Sequence, residues 1–313
     1  MNRFLFKLFV LSSLFACICF GIDQLIENGI KTSSYREISK WNEVIEGGIN
    51  ADRLIVGSSR ALVQFDPKII EEKTGQSCYN LGIDGSTYPA QRKIVELYLE
   101  KNKKPKIIEW SIDFTTFENV EGIYRFEQFI PFLHEPKIKE ILAMNQNMDL
   151  SYLNIPIARF DNNRTIKYKG LLSKTRFKHT YPLLYKGYRE SEKSWNVPEN
   201  QIEKLIGETS FEIDMKMFDD FIDFVTSLQT QGIEIRWVIS PYFSSTELLF
   251  TNKKSIRNML NKHADQLNIE FLDYSFDKIS DQQNLFYNGT HMNKKGVSVF
   301  MIQLYSFENK MLD

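Results

Sequence analysis

From Arg53 onward the chain alternates short apolar runs with longer amphipathic ones, and that alternation leaves few folds open. "RLIVGS" (53–58) reads as a buried strand, and Asp66-Pro67 opens a helix through Ile69 and Ile70, with the proline at a first helical position. "SCYNLG" (77–82) is a second strand. "TYPAQRKIVELYLEKN" (87–102) has a cap-like Thr87, Pro89 near its start, and Ile94, Val95, Leu97 and Tyr98 on one face. "PKIIEWSID" (105–113) is a third strand, and an amphipathic helix within 211–232 stops at Gly232 before a fourth, "IEIRWVISP" (233–241). A helix over about 246–266, a fifth strand "IEFLDYS" (269–275) and a C-terminal helix complete the series. Such a series predicts an α/β fold, a parallel sheet covered by helices on both faces. Ligands of such sheets sit at the carboxyl ends of the strands. Here those ends are Ser58 and Ser59, Gly82, Asp113 and the loop after Asp273.

The alternation lapses over about 118–205, read as a mostly helical insertion. Within it, residues 159–189 carry many Lys and Arg, interleaved with Phe and Tyr, and almost no acid. A solvated insertion whose aromatics pack on the main domain fits this pattern. So does a groove wall facing an anionic polymer or a membrane surface.

The N-terminus, "MNRFLFKLFVLSSLFACICFGID", has Arg3 and Lys7 ahead of an uncharged apolar run from Leu8 to Ile22. Counted from Phe4, the run approaches the ~20 residues a membrane helix needs. Residues 1–22 are therefore expected to be an anchor or a cleaved signal peptide, with 23–50 a helical stalk that follows it and 51–313 the main domain. Either way the positive charges stay inside and the remainder is exported, to be periplasmic or extracellular. Cys17 and Cys19 lie in the apolar run, which leaves Cys78 alone beyond it, so neither a disulfide nor a cysteine metal site is expected there. A net charge of −1 argues against a general nucleic-acid binder. No Gly-rich phosphate loop follows the first strand, which argues against a nucleotide binder, and no cofactor is expected.

Two stretches bear on chemistry. The first strand runs into Gly57-Ser58-Ser59, where a serine is either a nucleophile or a helix cap. Late in the chain, "NGTHMNKKG" puts His291 on a loop before an apolar helix, whereas His134, His179 and His263 have no such context. A serine hydroxyl attacks an acyl carbonyl only when a neighbouring imidazole takes its proton and donors stabilise the oxyanion.

These residues resemble the SGNH/GDSL hydrolase superfamily, and within it the membrane-anchored, exported branch of D-alanyl-transfer proteins and alginate-type O-acetyltransferases. The family's Gly-Asp-Ser block is similar to Gly57-Ser58-Ser59. "NLGIDGST" is similar to its second block, through Asn80 and Gly85, and "NGTHMNKKG" to its last. The resemblance implies a three-layer, flavodoxin-like α/β/α fold and no metal. It makes Ser59 the nucleophile and His291 the general base, puts the backbone N–H groups of Ser59 and Gly85 in the oxyanion hole, and places Ser58, Arg60 and Asn80 as candidate substrate contacts.

Two positions depart from the pattern. Asp113 stands where an Asn donor belongs and is the oxyanion-hole candidate by position; otherwise it faces elsewhere, Thr115 or Thr116 donates, or the hole runs on backbone amides alone. Asn288 stands where the triad Asp belongs, three residues before His291, and Asp273 is a second candidate to orient the ring. The resemblance implies an exported serine acyltransferase or esterase acting on O-acyl groups of a cell-envelope polysaccharide. Its partners would be that polysaccharide or an acyl donor, the membrane, and a membrane-bound O-acyltransferase. The alternative is a non-catalytic envelope polysaccharide-binding or assembly protein on the same fold.

Overall fold

The computed structural model describes residues 2–33, 35, 37–120, 122–145, 151–160, 164–173, 184–196 and 210–306. Parts of the basic run (161–163 and 174–183, with His179) and the end of the expected insertion (197–205) lie outside them. Along the chain come α1 (Asn2–Lys31), α2 (Ile38–Glu46), β1 (Arg53–Gly57), α3 (Ser59–Gln64), α4 (Pro67–Thr74), β2 (Cys78–Asn80) and α5 (Tyr88–Lys101). Then follow β3 (Ile107–Ser111), α6 (Pro136–Ala143), α7 (Arg164–Leu172), α8 (Met215–Thr230), β4 (Glu234–Ile239) and α9 (Lys253–Leu267). Last are β5 (Glu270–Asp273), β6 (Phe286–Asn288), β7 (His291–Met292) and α10 (Lys294–Tyr305). Two compact units result, one from Met1–Glu43 with Arg125–Leu183, the other from Val44–Tyr124 with Leu184–Asp313.

The second unit is the α/β domain. Its sheet runs β2-β1-β3-β4-β5 with every pairing parallel. This is the flavodoxin-like doubly wound order, whose direction reverses between β1 and β3 and leaves a crevice at their carboxyl ends. Gly57 and Ser111 are in register at that point. β1 and β3 are buried along their whole length, as parallel strands covered on both faces must be. Side chains alternate between the faces. Ile55 and Val238 join Phe65, Ile70, Val297, Phe300 and Met301 in a core beneath α3, α4 and α10. Trp110 and Trp237 point the other way, with their rings 5.0 and 5.3 Å from that of Phe221 on α8. Tyr88 of α5 lies 5.2 Å from the same ring. The three layers expected from the sequence are therefore present.

Glu109, a charge inside a core strand, is tolerated because Arg53 Nη1 (2.8 Å) and the Tyr305 hydroxyl (2.6 Å) satisfy its two oxygens. The helix expected from about residue 246 starts later, at Lys253. Residues Ser244–Leu249 form a 3₁₀ segment instead, and the Asn252 side chain is committed to the backbone of Phe211, accepting at 3.1 Å and donating at 2.7 Å. His291 begins the return strand of a tight antiparallel hairpin, β6–β7, with Asn288 opposite it. The stretch 184–195 runs with the α/β domain: Lys186 accepts from the Asn80 N–H (2.8 Å), Arg189 donates to the Leu62 carbonyl (3.0 Å), and Ser191 accepts from Lys294 (2.7 Å).

In the other unit, α1 continues unbroken through residues 22 and 23 to Lys31. The stretch Arg3–Lys31 is long and apolar enough to cross a membrane. Towards its C-terminal end, Ile26 and Ile30 are buried, and Asp23 pairs with Arg159. Gly29 crosses α7 so closely that a Cβ there would lie 1.9 Å from the Gly170 carbonyl oxygen. Trp41 is buried against Phe129 at 5.0 Å, with its indole N–H on the Gln128 side-chain oxygen (2.8 Å).

Candidate active site

β1 ends at Gly57 with φ +149°, a region closed to most side chains. A Cβ there would come within 2.6 Å of the Ser111 carbonyl oxygen and 2.9 Å of the Ala61 methyl group. Only glycine lets β1 turn into α3 this close to the end of β3. The two serines that follow do different jobs. Ser58 is the N-cap of α3: its side chain accepts from the Arg60 N–H (3.2 Å), and its hydroxyl donates to the Asp113 carboxylate. Ser59, first in the helix and half-buried, has its Oγ 2.8 Å from His291 Nε2.

The hairpin that presents His291 is held from α3. The Thr290 carbonyl accepts from Gln64 Nε2 (2.9 Å) and Arg60 Nη1 (3.3 Å). Within the turn, Asn288 Oδ1 accepts from the backbone N–H groups of Thr290 (3.0 Å) and His291 (2.9 Å). It also lies 3.1 Å from His291 Nδ1, and Thr290 Oγ1 lies 2.9 Å from that same nitrogen. An amide carbonyl can only accept, so Nδ1 carries the imidazole proton and the Nε2 lone pair faces the Ser59 hydroxyl. That is the tautomer a general base needs. The Tyr287 ring stacks on the imidazole at 5.4 Å and 10°. Burial, with the nearby Arg60, Arg189 and Lys193 charges, outweighs Asp84 and lowers the His291 pKa to about 3. The ring is neutral at physiological pH.

Several sequence-based expectations are corrected. Asp113 is no oxyanion donor. Its carboxylate is buried between the Ser58 hydroxyl and Arg60 Nε (2.8 Å), and burial raises its pKa against the pull of both partners. Arg60 and Ser58 are no substrate contacts either. Arg60 is 3% exposed, lies over the Tyr242 ring at 3.3 Å and donates to Ser240 Oγ (2.8 Å). Ser58 is the buried cap already described. Asn80 is fully buried, donating to the Ala61 (2.7 Å) and Phe65 (2.8 Å) carbonyls and accepting from Gly82 (2.8 Å), so it fixes the loop under α3 and meets no substrate. Asp273 does not reach the histidine, because Arg257 and Ser275 hold its two oxygens. Of the two threonines, Thr116 Oγ1 is taken by the Asp113 N–H (2.7 Å), whereas Thr115 is partly exposed.

Gly85 lies in a loop tied to β1 by the Ile83 N–H on the Gly57 carbonyl (2.9 Å). Its φ is +65°, and a Cβ would sit 2.5 Å from that of Tyr124. Beside it, Asp84 pairs with Arg189 (3.1 Å), and Lys193 lies over the outer neighbour of the histidine, Tyr287, at 5.4 Å. Thr290, Gln64, Tyr287 and the Asp84–Arg189 pair escape a reading of the sequence. Only the position of Thr290 beside His291 is a signal within it. Among the described residues no group of three His, Cys, Asp or Glu is placed to hold a metal ion.

No protein-family model matches the sequence, and no curated protein is significantly similar to it. Similar solved structures include a candidate acylhydrolase from Bacteroides fragilis at 13% identity and TM-score 0.40, covering 89% of this chain and 96% of that one. A candidate platelet activating factor from Streptococcus pneumoniae is 12% identical at TM-score 0.40, with coverages of 96% and 98%. An acetyl xylan esterase from the rumen bacterium Butyrivibrio proteoclasticus is 13% identical at TM-score 0.36, with coverages of 85% and 65%. Similarity at this level leaves the activity to be argued from the site.

Proposed function

We propose that the chain is an exported serine acyltransferase or esterase acting on O-acyl groups of a cell-envelope polysaccharide. The observation that carries this reading is the 2.8 Å contact between Ser59 Oγ and His291 Nε2 at the switch point of the sheet. Ser59 Oγ attacks the acyl carbonyl as its proton passes to Nε2. The N–H groups of Ser59 and Gly85 would hold the oxyanion, with Thr115 as a side-chain donor. Collapse of the tetrahedral intermediate expels the alcohol, which takes the proton back from Nε2 and leaves an acyl-serine. A sugar hydroxyl (transfer) or water (hydrolysis) then attacks the acyl-serine by the same route in reverse.

The apolar helix Arg3–Lys31 supports the envelope part of the reading. The likeness to the anchored SGNH branch favours transfer and a membrane-bound O-acyltransferase as acyl supplier. The test is labelling of the full-length protein in detergent with a fluorophosphonate, followed by mass spectrometry of the modified residue. Ser59 is expected to carry the adduct in the wild type and in Ser58→Ala, with none in Ser59→Ala or His291→Ala. A correctly folded wild type that forms no adduct would refute the nucleophile and leave a binding or assembly role.

A further inference from the structure

We propose that the Thr290 hydroxyl, rather than the Asn288 side chain, is the principal positioning group for the His291 imidazole. This rests on the reading of Ser59 and His291 as nucleophile and base. An amide oxygen has two lone pairs. Those of Asn288 are shared first by the Thr290 and His291 backbone N–H groups at 3.0 and 2.9 Å, so any further donor receives only a weakened, shared bond. The imidazole Nδ1 at 3.1 Å is a third claimant, and the Thr290 hydroxyl at 3.3 Å a fourth. Thr290 Oγ1 is the nearer acceptor to Nδ1, at 2.9 Å. Its own proton is directed at Asn288 Oδ1, which leaves its lone pairs for the Nδ1–H.

The arrangement is a chain from Nδ1–H to Oγ1 and from Oγ1–H to Oδ1. Asn288 shapes the turn, and Thr290 meets the ring. Thr290 is a stiff scaffold for this purpose. Its carbonyl is gripped by Gln64 and Arg60, its N–H by Asn288, and a β-branched side chain has few χ1 states. The other groups facing the imidazole cannot substitute. Ser59 is on Nε2, Tyr287 covers the ring face, and Arg60, Arg189, Lys193 and Asp84 act on it through their charges. When His291 takes the Ser59 proton, the Nδ1–H···Oγ1 bond becomes charge-assisted and strengthens.

The experiment measures the second-order rate of fluorophosphonate labelling, and kcat and KM for p-nitrophenyl acetate, on the full chain in detergent. The variants are Ser59→Ala, Thr290→Val, Thr290→Ser, Asn288→Asp and Asn288→Asp with Thr290→Val. Thr290→Val is expected to lower the labelling rate and kcat by roughly tenfold to a hundredfold, with KM changed by less than about twofold. Thr290→Ser keeps the hydroxyl and is expected to stay within about threefold of wild type. In the Asn288→Asp background a carboxylate takes the Nδ1–H directly, so losing the Thr290 hydroxyl is expected to cost less than about threefold. The proposal is overturned if Thr290→Val labels at the wild-type rate, if Thr290→Ser loses as much as Thr290→Val, or if the loss is undiminished in the Asn288→Asp background. If Ser59→Ala labels like wild type, it is the reading of Ser59 that fails instead.

Discussion

The surroundings of His291 bias it towards the neutral form. Burial and the Arg60, Arg189 and Lys193 charges outweigh Asp84, so the ring protonates only near about pH 3. A base is active while unprotonated, so its competence falls only as pH drops through the folded-state pKa. The labelling rate is therefore expected to be nearly level from pH 8 to pH 5, where an ordinary imidazole would already have lost activity below about 6.5. The same bias disfavours the imidazolium that forms as Ser59 attacks. Asn288→Asp would supply the missing negative charge. It is expected to raise the rate at pH 7 by roughly tenfold or more and to move the acid limb up towards 6.5. Rate measurements between pH 4 and pH 8 check both, and a wild-type limb near 6.5 would mean that the ring is solvated. Stability follows the same sign. The unfolded histidine binds its proton below about 6.5 and the folded one does not, so the stability His291 confers is full above 6.5 and is lost as pH falls towards 3. His291 stands out in the sequence by its context before an apolar helix, whereas Ser59 and Asn288 are singled out only by the resemblance to the SGNH blocks. Asp113 and Asp273 fall at strand ends in the sequence as they do in the fold, but their directions are set by Arg60 and Arg257, which come from other elements.

At the scale of elements, parallel strands are legible because both faces are buried and their runs are nearly continuous in apolar residues. What the runs do not show is where hydrogen bonding stops. "SCYNLG" contributes only Cys78–Asn80 as strand, because the Asn80 side chain turns back to cap the Gly82 N–H. Residues 184–195 are illegible for a different reason. They follow the edge of the sheet and α3 through isolated backbone bonds, with no periodic pattern, yet they bring Arg189 and Lys193 to the site. Helix α8 is the clearest element, and one side chain shows why it packs where it does. Phe221 is fully buried, with ring contacts to Trp110, Tyr88, Phe117 and Trp237 at 5.0–5.3 Å. Phe221→Ala removes that wedge between helix and sheet. It is expected to destabilise the α/β domain by about 3–5 kcal/mol, and Phe221→Leu by clearly less. Urea unfolding followed by tryptophan fluorescence measures the difference, and equal midpoints for the two variants would mean that the surrounding rings close the gap.

For the molecule as a whole, α1 is the element that bears on location. Phe4, Phe6, Phe9, Phe15 and Phe20 are 58–70% exposed along the first part of that helix. Transfer of one such side chain out of water is worth about 1.5–3 kcal/mol, so the row together strongly favours a lipid phase. The span needs ~20 apolar residues, and Arg3 and Lys7 at its start favour the inner side. α1 runs as one helix past residue 22, the end of the expected signal or anchor, to Ile26 and Ile30, which are buried, with Asp23 paired to Arg159. The protein is expected to stay in the membrane pellet through alkaline carbonate extraction, with an intact mass that includes residues 1–22. Protease added to intact cells with a permeable outer layer is expected to reach the α/β domain. A soluble chain lacking those residues would make the segment a signal peptide and still leave the domain exported. Protection of the domain until the membrane is broken would put Ser59 on the inner side, away from any envelope glycan, and the polysaccharide reading would fall even if Ser59 labels.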